Sequence, residues 1–117
     1  IHEYHTKGTF YEIDKNGNKS TRIVGDNYEV VAGSDFVNIK GTANLTIDSN
    51  CNTYIKGNWN IQVDGTKTEV VTGAVSETYK STKTENVTGA VQETFSSTQT
   101  TNVTSNVTIT GSRIDLN

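Results

Sequence analysis

Two histidines, one cysteine and a series of evenly spaced carboxylates are the side chains of this sequence best equipped for chemistry. His2 and His5 could ligate a metal ion, but no acidic or cysteine partner stands at convincing spacing, so they are expected to be exposed or capping groups. A lone Cys51 cannot form an intrachain disulfide and is read as a small apolar side chain destined for burial rather than as a reactive thiol. Glu69, Glu77, Glu85 and Glu93 recur every eight residues, with Lys67 and Lys83 two residues before Glu69 and Glu85. Carboxylates on a fixed period are features of a repeat rather than an acid/base pair. A serine–histidine–carboxylate set is excluded by the confinement of both histidines to the first five residues, and no glycine-rich phosphate loop is present. The expectation is a protein with no catalytic residue, no metal and no cofactor, in which ions or water become trapped inside a larger assembly.

The glutamate spacing is one expression of a period that runs through most of the chain. Residues 71–86, VTGAVSETYKSTKTEN, are followed at once by VTGAVQETFSSTQTTN at 87–102. This sixteen is two eights. Gly17, Gly25, Gly33, Gly41, Gly57, Gly65, Gly73 and Gly89 share one register of eight, only Gly8 and Gly111 fall outside it, and the vacant slots hold Ser49, Ser81, Ser97 and Ser105. Two residues before the slots from 25 onward stand Ile23, Val31, Ile39, Ile47, Ile55, Val63, Val71, Tyr79, Val87, Phe95 and Val103. Tyr79 and Phe95 take the valine position in two of the octads where serine replaces glycine. A fixed period signals one supersecondary unit that stacks on its neighbours.

Within an octad the alternation is that of a strand. In IKGNWNIQVDG, residues 55–65, the apolar Ile55, Trp59, Ile61 and Val63 share one parity, and Lys56, Asn58, Asn60, Gln62 and Asp64 share the other. Eight residues make about six of strand plus a corner, and glycine suits a corner because it accepts positive φ and close backbone approach. The fold predicted is all-β. Composition agrees: the chain has no proline, which would remove a ladder donor, and twenty threonines among abundant valine, isoleucine and tyrosine.

Only 32% of the 117 residues are hydrophobic and the mean hydropathy is -0.55, too little apolar material for an ordinary core of this size. Each octad supplies about one to three inward apolar groups. A single chain coiled alone would enclose a thin core and leave open edges. Three chains wound about one axis would bring three copies of each valine together in a column of layers. Each octad would then advance about one strand spacing, ~4.8 Å, so that eleven octads give roughly 50 Å, whereas one chain coiled alone would reach about a third of that. The net charge of -3 offers no basic footprint for nucleic acid or an anionic lipid surface. No stretch approaches the ~20 apolar residues of a membrane span and no signal peptide is visible; the opening Ile1 suggests a piece of something longer.

Three segments follow: an extended hairpin or linker over residues 1–22, octad repeats over 23–111 and a blunt tip over 112–117. In the first, TFYEID and KSTRIV flank an Asn-Gly turn at Lys15-Asn16-Gly17-Asn18. The sustained V-x-G octads, preceded by GTFYEIDKNGNKSTRIVGDNYEVV, resemble the carboxy-terminal β-helix of the central spike protein of contractile-tailed bacteriophages. The phrase GTFYEID, the Asn-Gly turn and IVGDNYE are also similar to the run-in to the repeats in that family and in the valine-glycine repeat spike proteins of type VI secretion. The resemblance covers essentially the whole chain. It implies an intertwined trimeric triangular β-helix, a needle that breaches the bacterial outer envelope, located in the tail tip of a virion assembled in the host cytoplasm. It also implies upstream domains joined to a baseplate hub, among them an oligonucleotide/oligosaccharide-binding fold and in some members a lysozyme domain, neither of which lies in these residues.

On that frame the eleven aliphatic and aromatic slots from Ile23 to Val103 become the axis, Gly25, Gly33, Gly41, Gly57, Gly65, Gly73 and Gly89 become corners, and Lys67, Glu69, Glu77, Lys83, Glu85 and Glu93 become candidate interior charge layers. The layers require that parity survive the corner; a corner that turns the glutamates outward is the alternative. Near the end the register slips, with Ile109-Thr110-Gly111 repeating V-x-G two residues early, before Ile114 and Leu116 alternate with Asp115 and Asn117. Bare strand edges need a lid. Because the carboxy terminus contains no histidine for a His-x-His iron tip, the resemblance implies a separate small tip protein docking on Ile109, Ile114 and Leu116; a self-cap by residues 112–117 is the alternative. The rival readings are a type VI secretion spike shaft, a trimeric tail-fibre or adhesin stalk, and an ice-binding solenoid that would stack Thr66 and Thr68, Thr82 and Thr84, and Thr98 and Thr100 into one plane.

Overall fold

A computed structural model describes all residues from Ile1 to Asn117. It contains β structure and no helix, and it divides into two units, Ile1–Asn60 and Ile61–Asn117.

The first unit begins with a three-stranded antiparallel sheet: β1 (His2–Tyr4), β2 (Phe10–Ile13) and β3 (Lys19–Arg22), in the order β1-β2-β3. Glu3 lies opposite Tyr11, and Tyr11 opposite Thr21. Both connections are tight turns that need glycine. In the first, Gly8 takes φ +98°, and the turn is closed by His5 N–H donating to Thr9 O at 2.7 Å and Gly8 N–H to His5 O at 2.9 Å. In the second, Gly17 takes φ +81°, a conformation costly for any residue with a Cβ. Asp14 organises this turn: its Oδ1 accepts from Asn16 N–H at 2.8 Å and Asn18 N–H at 2.9 Å, and its Oδ2 from the Asn18 amide at 3.1 Å. The bonds from Asn18, then that from Asn16, hold the Asp14 carboxyl below the usual aspartate range. β1 was not expected. His2-Glu3-Tyr4 is too short and too polar to show strand alternation, and it forms because β2 offers it a free edge.

One face of the sheet is aromatic. His2 and Tyr4 rings lie 5.3 Å apart, as do Tyr4 and Phe10, and the Tyr4 hydroxyl donates to Glu12 Oε2 at 2.9 Å. That bond, with the neighbouring negative charge, raises the Tyr4 phenol above its ordinary value. The histidines are surface groups: His5 Nδ1 accepts from Lys7 N–H at 3.3 Å, and no three His, Cys, Asp or Glu side chains are placed to hold a metal ion. Residues Gly8–Ile13 are half-buried and every other residue is exposed.

Beyond Arg22 the chain pairs with no part of itself. In the first unit it runs extended with bends at 24–25, 32–33, 40–41, 48–49 and 56–57; in the second, bends fall at 64–65, 72–73, 80–81, 88–89, 96–97, 104–105 and 112. The step is eight throughout. The slip at Ile109-Thr110-Gly111 is one of side chains only, because the backbone still bends eight residues after Thr104, at Ser112. A triangular β-helix is not present within one chain.

The bend glycines correct one expectation. Gly8 and Gly17 alone have positive φ; Gly25, Gly33, Gly41, Gly57, Gly65, Gly73 and Gly89 do not, and a Cβ built on any of these seven meets nothing within 4 Å. The bend itself therefore demands no glycine, which is why Ser49, Ser81, Ser97 and Ser105 fill the same slot without strain.

Candidate functional site: an uncovered apolar face

The residue immediately before each bend is the apolar one. In the first unit these are Ile23, Val31, Ile39, Ile47 and Ile55; in the second, Val63, Val71, Tyr79, Val87, Phe95 and Val103. Their exposure runs only from 39% (Ile23) to 57% (Val87), whereas Tyr28, Val30 and Phe36, elsewhere in the octads, are 87%, 93% and 92% exposed. The difference puts the repeating side chain on the sheltered side of its bend. Shelter is not burial, however, and no side chain in the molecule is buried. Cys51, expected inside, is likewise exposed, with only the Thr53 hydroxyl 4.0 Å from its sulfur, because no strand of its own chain covers it.

The total confirms the deficit. The chain exposes 13150 Å², against about 6,000 Å² expected of a folded monomer of its mass and about 18,000 Å² for the same chain fully unfolded. More than half of the area that folding would normally hide is still bare.

Polar side chains obey the geometry of an unpaired strand. Past Val24 every side-chain hydrogen bond or ion pair joins residues two apart: Tyr28 to Asp26, Gln62 to Asp64, Lys67 to Glu69, Tyr79 to Glu77, Lys83 to Glu85 and Arg113 to Asp115. Such residues share one face of an extended chain. Lys83 also reaches across a bend. Its Nζ is 5.1 Å from the centre of the Tyr79 ring, on the far side of the bend at 80–81, and 2.9 Å from Glu85 Oε1. The Tyr79 hydroxyl is 3.4 Å from Glu77 Oε2. Glu77, Tyr79, Lys83 and Glu85 therefore form one contiguous group across this bend. Glu85 is the main cause of the raised Lys83 pKa, followed by smaller effects of Tyr79 and Glu77. Lys67 and Glu69 make the corresponding pair at 3.4 Å.

Sixteen residues on, the same positions hold Glu93, Phe95, Gln99 and Thr101. Phenylalanine has no hydroxyl to offer Glu93, and the cation and its carboxylate are replaced together. Sequence reading located the individual charges, but not the four-residue group around Tyr79. A lysine four residues after an aromatic of the same parity was the available signal. At the carboxy end, Ile109, Ile114 and Leu116 are exposed and unpaired, and Arg113 donates to Asp115 at 2.8 Å.

The chain is similar to Protein Gp5 of Vibrio phage KVP40, with 41% identity over 54 residues, or 46% of this chain and 13% of that protein. It thus spans a small fraction of its phage relative. No family model matches the chain, and no solved structure matches it.

Proposed function

We propose that this chain is a shaft segment of the central spike of a contractile phage tail, three copies of which intertwine so that each covers the apolar face of the others. The carrying observation is the combination of eleven apolar slots, each set before a bend, with the absence of any buried side chain or intrachain ladder past Arg22. A solitary solenoid, including an ice-binding one, would pair its own coils and bury its own valines; this chain does neither. Three copies supply the missing ladders, and the small residue in each bend gives a neighbouring backbone room to approach. The partial similarity to a phage protein supports the setting in a virion tail.

Function on this reading is mechanical. Each strand is held by two other chains, so opening one breaks ladders to both, and the shaft resists local unfolding under load. Three copies of a -3 chain carry -9, which gives no attraction to an anionic membrane, so entry into the outer envelope depends on force from a contracting sheath. Upstream domains would join the shaft to the baseplate hub. Ile109, Ile114 and Leu116, three copies each, form an apolar end surface suited to a separate small tip protein. The chain works without catalysis or cofactor. The Lys67–Glu69 and Lys83–Glu85 pairs face the interior as charge layers, each cation neutralising its carboxylate, with water or ions beside Glu77 and Glu93.

Sedimentation with light scattering on the purified chain tests this reading. An elongated species of three chains that melts in one transition is expected. A compact monomer sinks it.

A further inference from the structure

Octads carry little information about how far along its neighbour a chain should pair. Each presents the same sequence of apolar slot, small residue and bend, and residues 71–86 nearly duplicate 87–102, so a slip of sixteen residues preserves most of what a partner strand meets. The amino-terminal sheet differs in every respect. It is the one place where the chain pairs with itself, it has no repeat, and its hairpins close locally, so it forms within one copy at small entropic cost. It is also tied to the first bend: Val24 N–H donates to the Thr9 hydroxyl at 3.1 Å, and the Val24 Cγ2 methyl lies where a Cβ on Gly8 would touch it, at 3.4 Å. The position of the sheet therefore dictates where the first octad starts.

On one face of the sheet the rings of His2 and Tyr4, both exposed, and of half-buried Phe10 form a continuous group, each ring 5.3 Å from the next. On a chain that leaves over half its foldable area bare this aromatic face calls for a cover, and about a threefold axis the cover at hand is the sheet of the neighbouring copy, brought near by the octads of the proposed shaft. We propose that the sheet is an alignment clamp: its His2–Tyr4–Phe10 face seats on the sheet of a second copy and so fixes the register in which the octads pair. This rests on the multi-chain shaft proposed above.

The test uses the full chain with a nitroxide on the polar face of an octad (Cys51→Ala, Asn60→Cys) and pulsed electron–electron distance measurement, alongside mass determination. In the otherwise unaltered protein, one narrow distance population is expected. Phe10→Glu, which spoils the face, and Gly17→Val, which spoils the turn behind it, should each give trimers with two or more populations, since a slip of two octads displaces the label on the order of 10 Å. A variant that fails to assemble supports the clamp if a trimeric coiled coil fused ahead of Ile1 restores both assembly and a single distance, and overturns it if the fusion does not. Trimeric variants that keep the single distance overturn the clamp alone and leave the shaft intact. A monomeric parent protein overturns the shaft and the clamp with it.

Discussion

Residues 1–22 and the octads that follow solve the same problem, the pairing of backbone groups, in opposite ways. The sheet pairs within its own chain, and it uses positive-φ glycine where the chain must reverse. The octads bend with ordinary φ, pair with nothing of their own and place glycine or serine at bends that require neither. Gly8 and Gly17 are thus required by their own backbone, and the bend glycines are not.

Substitution should make that contrast measurable. The largest effect is expected from Val63→Asp. Three carboxylates would meet in one layer with no cation, at several kcal/mol per ion, and assembly should be lost by light scattering while amide exchange still shows the amino-terminal sheet. Gly65→Val and Gly17→Val come next and should separate cleanly. Gly65 has room and ordinary φ in the single chain, so valine there should leave the sheet intact and abolish or greatly weaken assembly. Valine at Gly17 forces a β-branched residue to φ near +81° and should cost about 1–3 kcal/mol in the hairpin itself, read from exchange of the Asn18 and Lys19 amides.

Smaller effects should come from the two near-duplicate units. Lys83→Gln gives the sixteen at 71–86 the residue found at position 99 but leaves Glu85 without its cation, so the melting temperature should drop. Lys83→Gln with Glu85→Thr reproduces the neutral arrangement of Gln99 and Thr101 and should recover most of the loss. Equal losses in the single and double variants would mean that the pair faces water, where such pairs are worth little. The smallest effect concerns Asp14. Its pKa is depressed in the folded turn, so its contribution is present above the ordinary aspartate value and lost as pH falls through the lowered one. Acidification should release the Asn16 and Asn18 amides in a pH-dependent exchange measurement, and Asp14→Ala should remove that dependence.

The sequence announced these features unevenly. The bend positions were legible because a small residue every eight is visible without any partner, and so was the turn at Asn16-Gly17. The all-β class was legible in the threonine- and valine-rich, proline-free composition, although the strands formed lie within residues 2–22 and the octads, 55–65 among them, run unpaired. β1 was not legible: three polar residues acquire strand geometry only when β2 is there to pair with. The grouping of Lys83 on Tyr79 was hidden by the bend between them, because alternation predicts faces within a strand and is silent about whether a corner preserves them. Of the two reasons the sequence offered for the glycine slot, positive φ does not hold at the bends, and close backbone approach belongs to the proposed assembly.

In the shaft proposed above, the unpaired octads carry a consequence for how subunits leave and rejoin. A subunit with no ladder of its own has no folded resting form to adopt on leaving its partners, so exchange between finished particles would have to pass through a largely unstructured chain. Two preassembled populations bearing different labels should therefore stay unmixed on storage and hybridise only after denaturation, as befits a component built once and used once.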